Sequence, residues 1–293
     1  MNLLTNCTIC PRECGINRQK NKGFCGMKNK LKIAKICLVG FEEPSISLKR
    51  GSGAIFFSGC NLKCVFCQNF QISAEGYGHN ISVRRLARIM LKLQKQGAEN
   101  INLITGTHFT VLIAKALKLA KPKLKIPVIY NCGGYESVRS LKMLDGLIDV
   151  YLPDFKYGIN EIGEKYSRAT NYPITALSAI KEMLRQVGKP KIGHSGKIYG
   201  GVIVRHLVLP NNLENSLTAL KLLSENFAPD EILISLMAQY TPMHNPGEPP
   251  ELSRAVTDAE YNAVVAKLNA LGFEGYTQGL DSAGTECIPN FKN

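Results

Sequence analysis

The sequence predicts an α/β protein in which a parallel sheet is covered by helices, and three observations carry that expectation. From Gly53 onward, short runs of strand type alternate in regular order with runs of helix type. The strand-type runs are nearly continuously apolar, as strands buried on both faces are. Chemistry-bearing residues recur just after them, where parallel sheets build their ligand sites. Six such units are too few for an eight-fold barrel, which leaves a partial, open (β/α)6 barrel or a doubly wound sheet.

The units follow one another without a repeat or a low-complexity stretch. Residues 54–58 (AIFFS) make the first strand, and residues 83–96 place Leu86, Ile89, Met90 and Leu93 on one helical stripe. Strand 100–105 (NINLIT) precedes helix 111–120, and strand 126–131 (IPVIYN) precedes a helix over 137–144. Strand 147–154 (LIDVYLPD) leads to the helical stretch 176–187, and strand 201–209 (GVIVRHLVL) to helix 213–224. The sixth strand, 231–240 (EILISLMAQY), is followed by a last helix over 258–271. Residues 1–50 differ: they are rich in Cys, Lys and Asn, with little apolar period. The expected division is therefore a cysteine-rich segment over 1–50, the barrel over 51–245, and a C-terminal helix and tail over 246–293.

Composition narrows the functional classes. The 293 residues are 45% hydrophobic with no tryptophan, and they contain no 18-residue apolar run and no signal-peptide pattern. A cytoplasmic protein without membrane association is expected. In a reducing compartment the ten cysteines are thiols or metal ligands before they are disulfides. The net charge of +13 favours anionic partners such as RNA, an acidic protein or an acidic electron carrier, although scattered lysines also make an ordinary solvated surface.

Two cysteine sets stand out. Cys60, Cys64 and Cys67 (GCNLKCVFCQN, 59–69) sit in the loop that leaves the first strand. A structural zinc site takes four protein ligands and a [4Fe–4S] cubane normally four thiolates, so three ligands keep one metal position open unless a fourth arrives from a distance. Cys7, Cys10, Cys14 and Cys25 are a set of four on a short polar segment, the composition of a tetrahedral S4 site for zinc or a second Fe–S cluster. Cys37, Cys132 and Cys287 are isolated and expected to be ordinary thiols, and His79, His194 and His244 ordinary loop residues.

The strand ends supply further candidates. Thr105-Gly106-Thr107-His108 follow the second strand and Asn131 ends the third. Asp154 and Lys156 follow the fourth, two apart and so on one face. Arg205 and His206 alternate along the fifth strand, with His206 expected inward, and Gln239 closes the sixth. Phe66 lies between the last two cysteines of the loop.

The three-cysteine spacing in a first βα loop resembles the signature of the radical S-adenosylmethionine (SAM) superfamily. Within it, CPRECGINR (10–18), GSGAIFFSGCNLKCVFCQN (51–69), NINLITGTHF (100–109), YNCGGYE (130–136), DVYLPDFKY (149–157), VRHLVLP (204–210) and LMAQYTP (236–242) resemble the PflX-like group, relatives of pyruvate formate-lyase activating enzymes. Gly106 departs from that pattern, where proline would be expected. The resemblance implies a partial (β/α)6 barrel of the radical SAM type. It implies that Cys60, Cys64 and Cys67 hold a [4Fe–4S] cluster whose fourth iron is chelated by SAM, and that one electron cleaves the SAM C5′–S bond to a hydrogen-abstracting 5′-deoxyadenosyl radical. It gives Phe66 a shielding place near adenine, and the Thr105–His108 turn the methionine amino group. It further gives Lys156 of the D-F-K the SAM carboxylate, with Asn131, His206 and Gln239 as further cofactor contacts. The implied partners are an electron donor such as flavodoxin or ferredoxin and a glycyl-radical enzyme as protein substrate. Radical modification of RNA or of a small metabolite is the alternative, and a nonenzymatic metal-binding or nucleic-acid-binding module the third.

Overall fold

The computed structural model describes residues 3–243, 249–284 and 289–291; His244 and Cys287 lie outside them. In chain order the strands are β1 (Leu31–Val39), β2 (Ser52–Phe57), β3 (His79–Ile81), β4 (Ile101–Ile104), β5 (Val128–Cys132), β6 (Val150–Pro153), β7 (Lys191–Ile192), β8 (Ile198–Leu207), β9 (Leu233–Met237) and β10 (Gly275–Thr277). The helices are α1 (Pro44–Ser47), α2 (Phe70–Ser73), α3 (Val83–Lys95), α4 (Thr110–Ala120), α5 (Val138–Leu141), α6 (Asn160–Ser167), α7 (Tyr172–Val187), α8 (Leu213–Asn226) and α9 (Asp258–Ala270).

The six expected strands are β2, β4, β5, β6, β8 and β9, and they lie side by side in that order, all parallel. A doubly wound sheet would reverse its order at a switch point, and this one does not. The sheet is an open, partial barrel: β10 extends it in parallel beyond β9, and antiparallel β1 flanks β2 with β3 beyond it. Strand β1 falls inside the segment that showed little apolar period. Its alternation breaks at Lys35, where the pairing with β2 shifts register, and Ile36 and Leu38 point to solvent, so no buried face can be read along it.

Two-residue periodicity sorts the strands into a helix face and a lumen face. Ile55, Leu103, Tyr130, Tyr151, Val204 and Ile234 pack into the core beneath the helices, where Leu86, Ile89, Met90 and Leu93 of α3 meet them. Ala54, Phe56 and Ile104 line one side of the lumen, and Ile129, Val150, Leu152, Ile203 and Leu233 the other. Ile46 of α1 joins this second group. The segment between β1 and β2 thus turns under the barrel and closes its lumen from the N-terminal end of the strands, held by Asn100 Nδ2 donating to the Ile46 carbonyl at 2.7 Å.

The cysteine-rich N-terminus is built onto the barrel. Buried Arg18 donates to the carbonyls of His108 (2.5 Å) and Lys28 (2.9 Å), and Ser140 Oγ donates to the Ile9 carbonyl. Gly59 carries the contact from the other side: at φ +82° a Cβ there would stand 2.6 Å from the Cys25 carbonyl oxygen and 2.5 Å from Met27 Cγ. Only glycine lets the two cysteine segments approach this closely.

Candidate active site at the open end of the barrel

The loops that leave the C-terminal strand ends surround a cavity of about 650 Å³, in the size range of small-molecule sites. Cys60, Cys64 and Cys67 all line it, together with Phe66, Thr105, Asn131, Asp154, Lys156 and Gln239. Parity explains the convergence. Asn131 continues the lumen row of Ile129, Asp154 that of Val150 and Leu152, and Gln239 that of Ser235 and Met237.

The cysteine loop makes a turn of its own, Cys67 N donating to the Cys64 carbonyl at 3.3 Å, and is anchored from outside by its neighbours. Lys63 N and Val65 N donate to the carbonyls of Ser167 (3.1 Å) and Tyr166 (2.9 Å), so the loop is zipped to the end of α6. Arg12 secures the same junction, with Nε on the Asn61 carbonyl at 2.8 Å, Nη2 on that of Ser167 at 3.1 Å, and its guanidinium over the rings of Phe24 and Tyr135. Phe66 meets Tyr166 and Tyr240 edge-on, which fixes it as a wall of the cavity. Burial, and next the neighbouring Cys64, push the Cys60 thiol far up and Cys67 to about 11.

Three soft thiols on one wall are the right donor chemistry for iron. Among the described residues no three Cys, His, Asp or Glu side chains already surround a single point as one metal ion would require. A cubane asks for something else, one thiolate on each of several irons, and it leaves a fourth iron for a ligand that this loop does not supply. The N-terminal thiols also interact: burial raises Cys10, to about 12, and Cys25, with Cys7 adding to both, while Cys14 accepts a hydrogen bond from Cys7.

Lys156 Nζ lies 2.6 Å from Asp154, the pair largely buried. Burial alone would weaken the protonation of Lys156; Asp154 and, next, Cys64 outweigh it and hold the ammonium above its ordinary range. Gly134 presses against the same pair. At φ +75° a Cβ there would stand 2.0 Å from the Asp154 carbonyl oxygen and 2.9 Å from Tyr172 Oη, the hydroxyl that donates to that carbonyl. Gly134→Ala is therefore expected to lower stability by roughly 1–3 kcal/mol, as overpacking does, and to displace Asp154. Thermal unfolding together with a SAM titration checks both effects.

The turn after β4 divides. Thr105 lines the cavity at φ +60°, a conformation that a β-branched residue adopts only where the surroundings impose it. Its three successors are corrections, since none of them lines the cavity. A Cβ on Gly106 would meet Ile113 Cδ1 at 2.6 Å, so this position faces α4. The Thr107 hydroxyl donates to Glu136. His108 is buried with Nε2 2.8 Å from the Ser58 carbonyl, and burial with the nearby Arg18 depresses it to about 3, so it stays neutral. His206 is a correction of the same kind. It shares parity with Val202 and Val204, faces the helices, and is held between the Phe155 carbonyl (2.7 Å) and Ser216 Oγ (2.9 Å), while Arg205 takes the lumen.

Beneath these groups lie Arg205, expected outward from the sequence, and Glu42 and Glu43, which the sequence did not signal. Arg205 binds Glu43 at two points, Nε to Oε1 at 2.7 Å and Nη2 to Oε2 at 2.8 Å, and also reaches Glu42. Glu42 accepts in addition from Asn102 Nδ2 at 2.9 Å. Burial acts on both carboxyls; in Glu43 the contact with Arg205 outweighs it and lowers the pKa, whereas Glu42, repelled by Glu43, is pushed up. Glu42 and Glu43 come from the segment under the barrel, outside any strand-end position, and nothing local marks them.

Glu136 is buried under the Thr105–His108 turn, accepting from Thr107 and, at 3.4 Å, from Tyr130 Oη. Burial pushes it up to about 8 from 4.5. Between those values the folded chain binds a proton that the unfolded chain has released, so this group's contribution to stability falls as pH rises from about 4.5 to about 8. Glu136→Gln is expected to flatten that part of the stability profile in denaturant unfolding at a series of pH values. An unchanged slope would contradict the assignment.

An open parallel barrel with a thiol-lined cavity at its C-terminal mouth puts candidate metal ligands where such barrels build their active sites. Residues 54–232 match the family model of the radical SAM superfamily. An uncharacterized protein, MJ0674 of Methanocaldococcus jannaschii, is 32% identical over 267 residues, covering 88% of this chain and 73% of its own. A radical SAM methyltransferase from Sphaerobacter thermophilus superposes with a TM-score of 0.52 at 14% identity, over 79% of this chain and 69% of that one. Methylornithine synthase (PylB) does so at 0.50 and 12%, over 74% and 68%; these two likenesses speak to the fold. The chain belongs to the radical SAM superfamily and is a radical SAM enzyme, a membership that implies a [4Fe–4S] cluster and SAM. Among the described residues no helix is long and apolar enough to cross a membrane.

Proposed function

We propose that this enzyme generates a protein radical, taking hydrogen from a glycine of a partner enzyme in the manner of the activating enzymes whose motifs it resembles. One observation carries the cofactor side of this proposal: the three thiols and the Asp154–Lys156 pair line one cavity, with Lys156 close enough to feel Cys64 and Cys67. Cys60, Cys64 and Cys67 hold the cluster. When bound there, the group supplies reductive cleavage of the SAM sulfonium and a 5′-deoxyadenosyl radical that takes the substrate hydrogen. Lys156, its charge secured by Asp154, binds the SAM carboxylate. Thr105, Asn131 and Gln239 orient the methionine and nucleoside ends, and Phe66 with Tyr240 keeps water from the reacting atoms. Gln239 is itself fixed, its Oε1 accepting from Gln278 Nε2 at 3.0 Å.

The N-terminal thiols hold zinc or a second cluster, and their site braces the catalytic loop through Arg12. A cytoplasmic flavodoxin or ferredoxin supplies the electron, and the net charge of +13 suits such an acidic donor. A second substrate class is favoured by the charged floor of Glu42, Glu43 and Arg205, which suits a small polar metabolite better than a glycine backbone; the positive charge admits RNA as well. Anaerobic turnover with captured partners, followed by deuterium transfer into 5′-deoxyadenosine, separates these classes. Label from a protein glycine supports radical installation; label from a metabolite or from RNA overturns it.

A further inference from the structure

The sulfurs of Cys60 and Cys67 each have a hydrogen-bonding neighbour, Leu62 N and Ser73 Oγ, and that of Cys64 has two hydroxyls in series. Ser167 Oγ lies 2.9 Å from Cys64 Sγ, and Tyr157 Oη lies 2.6 Å from Ser167 Oγ. Ser167 and Tyr157 are both fully buried, so water does not compete for these hydroxyls. Other bonds fix the geometry. Ser167 ends α6, and its carbonyl accepts from Lys63 N at 3.1 Å and from Arg12 Nη2 at 3.1 Å, which pins the residue against the cysteine loop. The Tyr157 ring packs edge-on against Tyr172 with centroids 5.1 Å apart.

The chemistry of a thiolate gives this chain a direction. A cysteine sulfur bonded to iron carries no hydrogen and can only accept, so Ser167 must donate to Cys64. Its oxygen is then free to accept, and the phenol of Tyr157 must donate to it. Each donor polarises the next in a site without water. Hydrogen bonds to sulfur are one of the levers that set the reduction potential of an iron–sulfur centre, because they stabilise the additional negative charge of the reduced state.

We infer that Tyr157 and Ser167 form a directed hydrogen-bond chain onto Cys64 that raises the reduction potential of the cluster, with both acting through Cys64 as tuning residues. The inference rests on Cys64 being a ligand, as proposed above. Cys67 has its own serine, Ser73 Oγ at 3.2 Å, a longer contact on a half-buried residue, and this makes it the internal comparison.

The test is a redox titration of anaerobically reconstituted protein, followed by the EPR signal of the reduced cluster, with iron and sulfide counted on the same samples. Ser167→Ala is expected to keep the cluster and to become harder to reduce, by about tenfold in the reduction equilibrium, or about 59 mV for a one-electron couple. Tyr157→Phe, which preserves the packing, is expected to shift in the same direction by less, and Ser167→Thr, which keeps the hydroxyl, to return toward wild type. Ser73→Ala is expected to shift least. A Ser167→Ala protein with full cluster and unchanged potential overturns the inference. Should Ser167→Ala lose its cluster, Tyr157→Phe decides in its place: an unchanged potential there also overturns it. Failure of the underlying assignment looks different, since a Cys64→Ala protein would then retain its iron and sulfide.

Discussion

Replacing Cys64 by alanine is expected to remove the cluster altogether and, with it, all SAM cleavage above background. The three thiols of the loop share one cavity wall, and the described residues nearby hold no spare donor placed to take over. Cys132 also lines the cavity, but its thiol bonds to Glu136 and burial raises it strongly. Cys60→Ala and Cys67→Ala should behave alike. Iron and sulfide analysis after anaerobic reconstitution, with visible absorption, checks the effect. Full iron content in any of the three variants would contradict the assignment. Zinc retained at one per chain in the variant lacking all three cysteines would place that metal on Cys7, Cys10, Cys14 and Cys25.

Arg205→Met is expected to be the most destabilising single change in the barrel lumen. Arg205 holds two buried carboxylates, bidentate on Glu43, beside Asp154. Removing one partner of a buried ion pair leaves uncompensated charge and typically costs about 3–5 kcal/mol. At roughly 2–4 °C per kcal/mol for chains of somewhat smaller size, the melting temperature should fall by roughly 10 °C. Replacing Glu42 and Glu43 with glutamine in the same chain should recover most of the loss, because the penalty lies in the stranded charges. A melting temperature unchanged in Arg205→Met would mean that the cluster contributes nothing to the folded state.

How far the sequence discloses this molecule follows from where each signal resides. All six core strands were legible, because strands buried on both faces are written as nearly continuous apolar runs such as VIYNC and LISLM. Strand β1 was not: β3 pairs with it only over Leu31–Ile33, and beyond that it shows solvent a mixture of Lys35, Ile36 and Leu38. The short antiparallel β3 and the edge strand β10 are three residues each, too brief for a period to appear. The place of Cys60, Cys64 and Cys67 at the cavity was legible from the strand end they follow, and that of Asp154 and Lys156 from a strand end and a two-residue step. His206 was misjudged although the parity was present: Ile203 belongs to the lumen row, so Arg205 must follow it inward. The Thr105–His108 turn misled because only its first residue remains in the strand's frame, after which a 3₁₀ turn rotates Thr107 and His108 into the core. Glu42, Glu43 and Ser167 reach the site through tertiary packing from loops and a helix end, and no local pattern encodes that.

The central claim is that this cavity binds SAM against a cluster held by Cys60, Cys64 and Cys67, with Lys156 on the SAM carboxylate. Its most direct test is anaerobic incubation of the reconstituted, reduced protein with SAM, measuring 5′-deoxyadenosine by mass spectrometry. The wild-type protein is predicted to form it, Lys156→Met to form it at least tenfold more slowly at subsaturating SAM while keeping its iron and sulfide, and Cys64→Ala to form none. A fully loaded, reduced wild-type protein that binds SAM yet yields no 5′-deoxyadenosine would contradict the account.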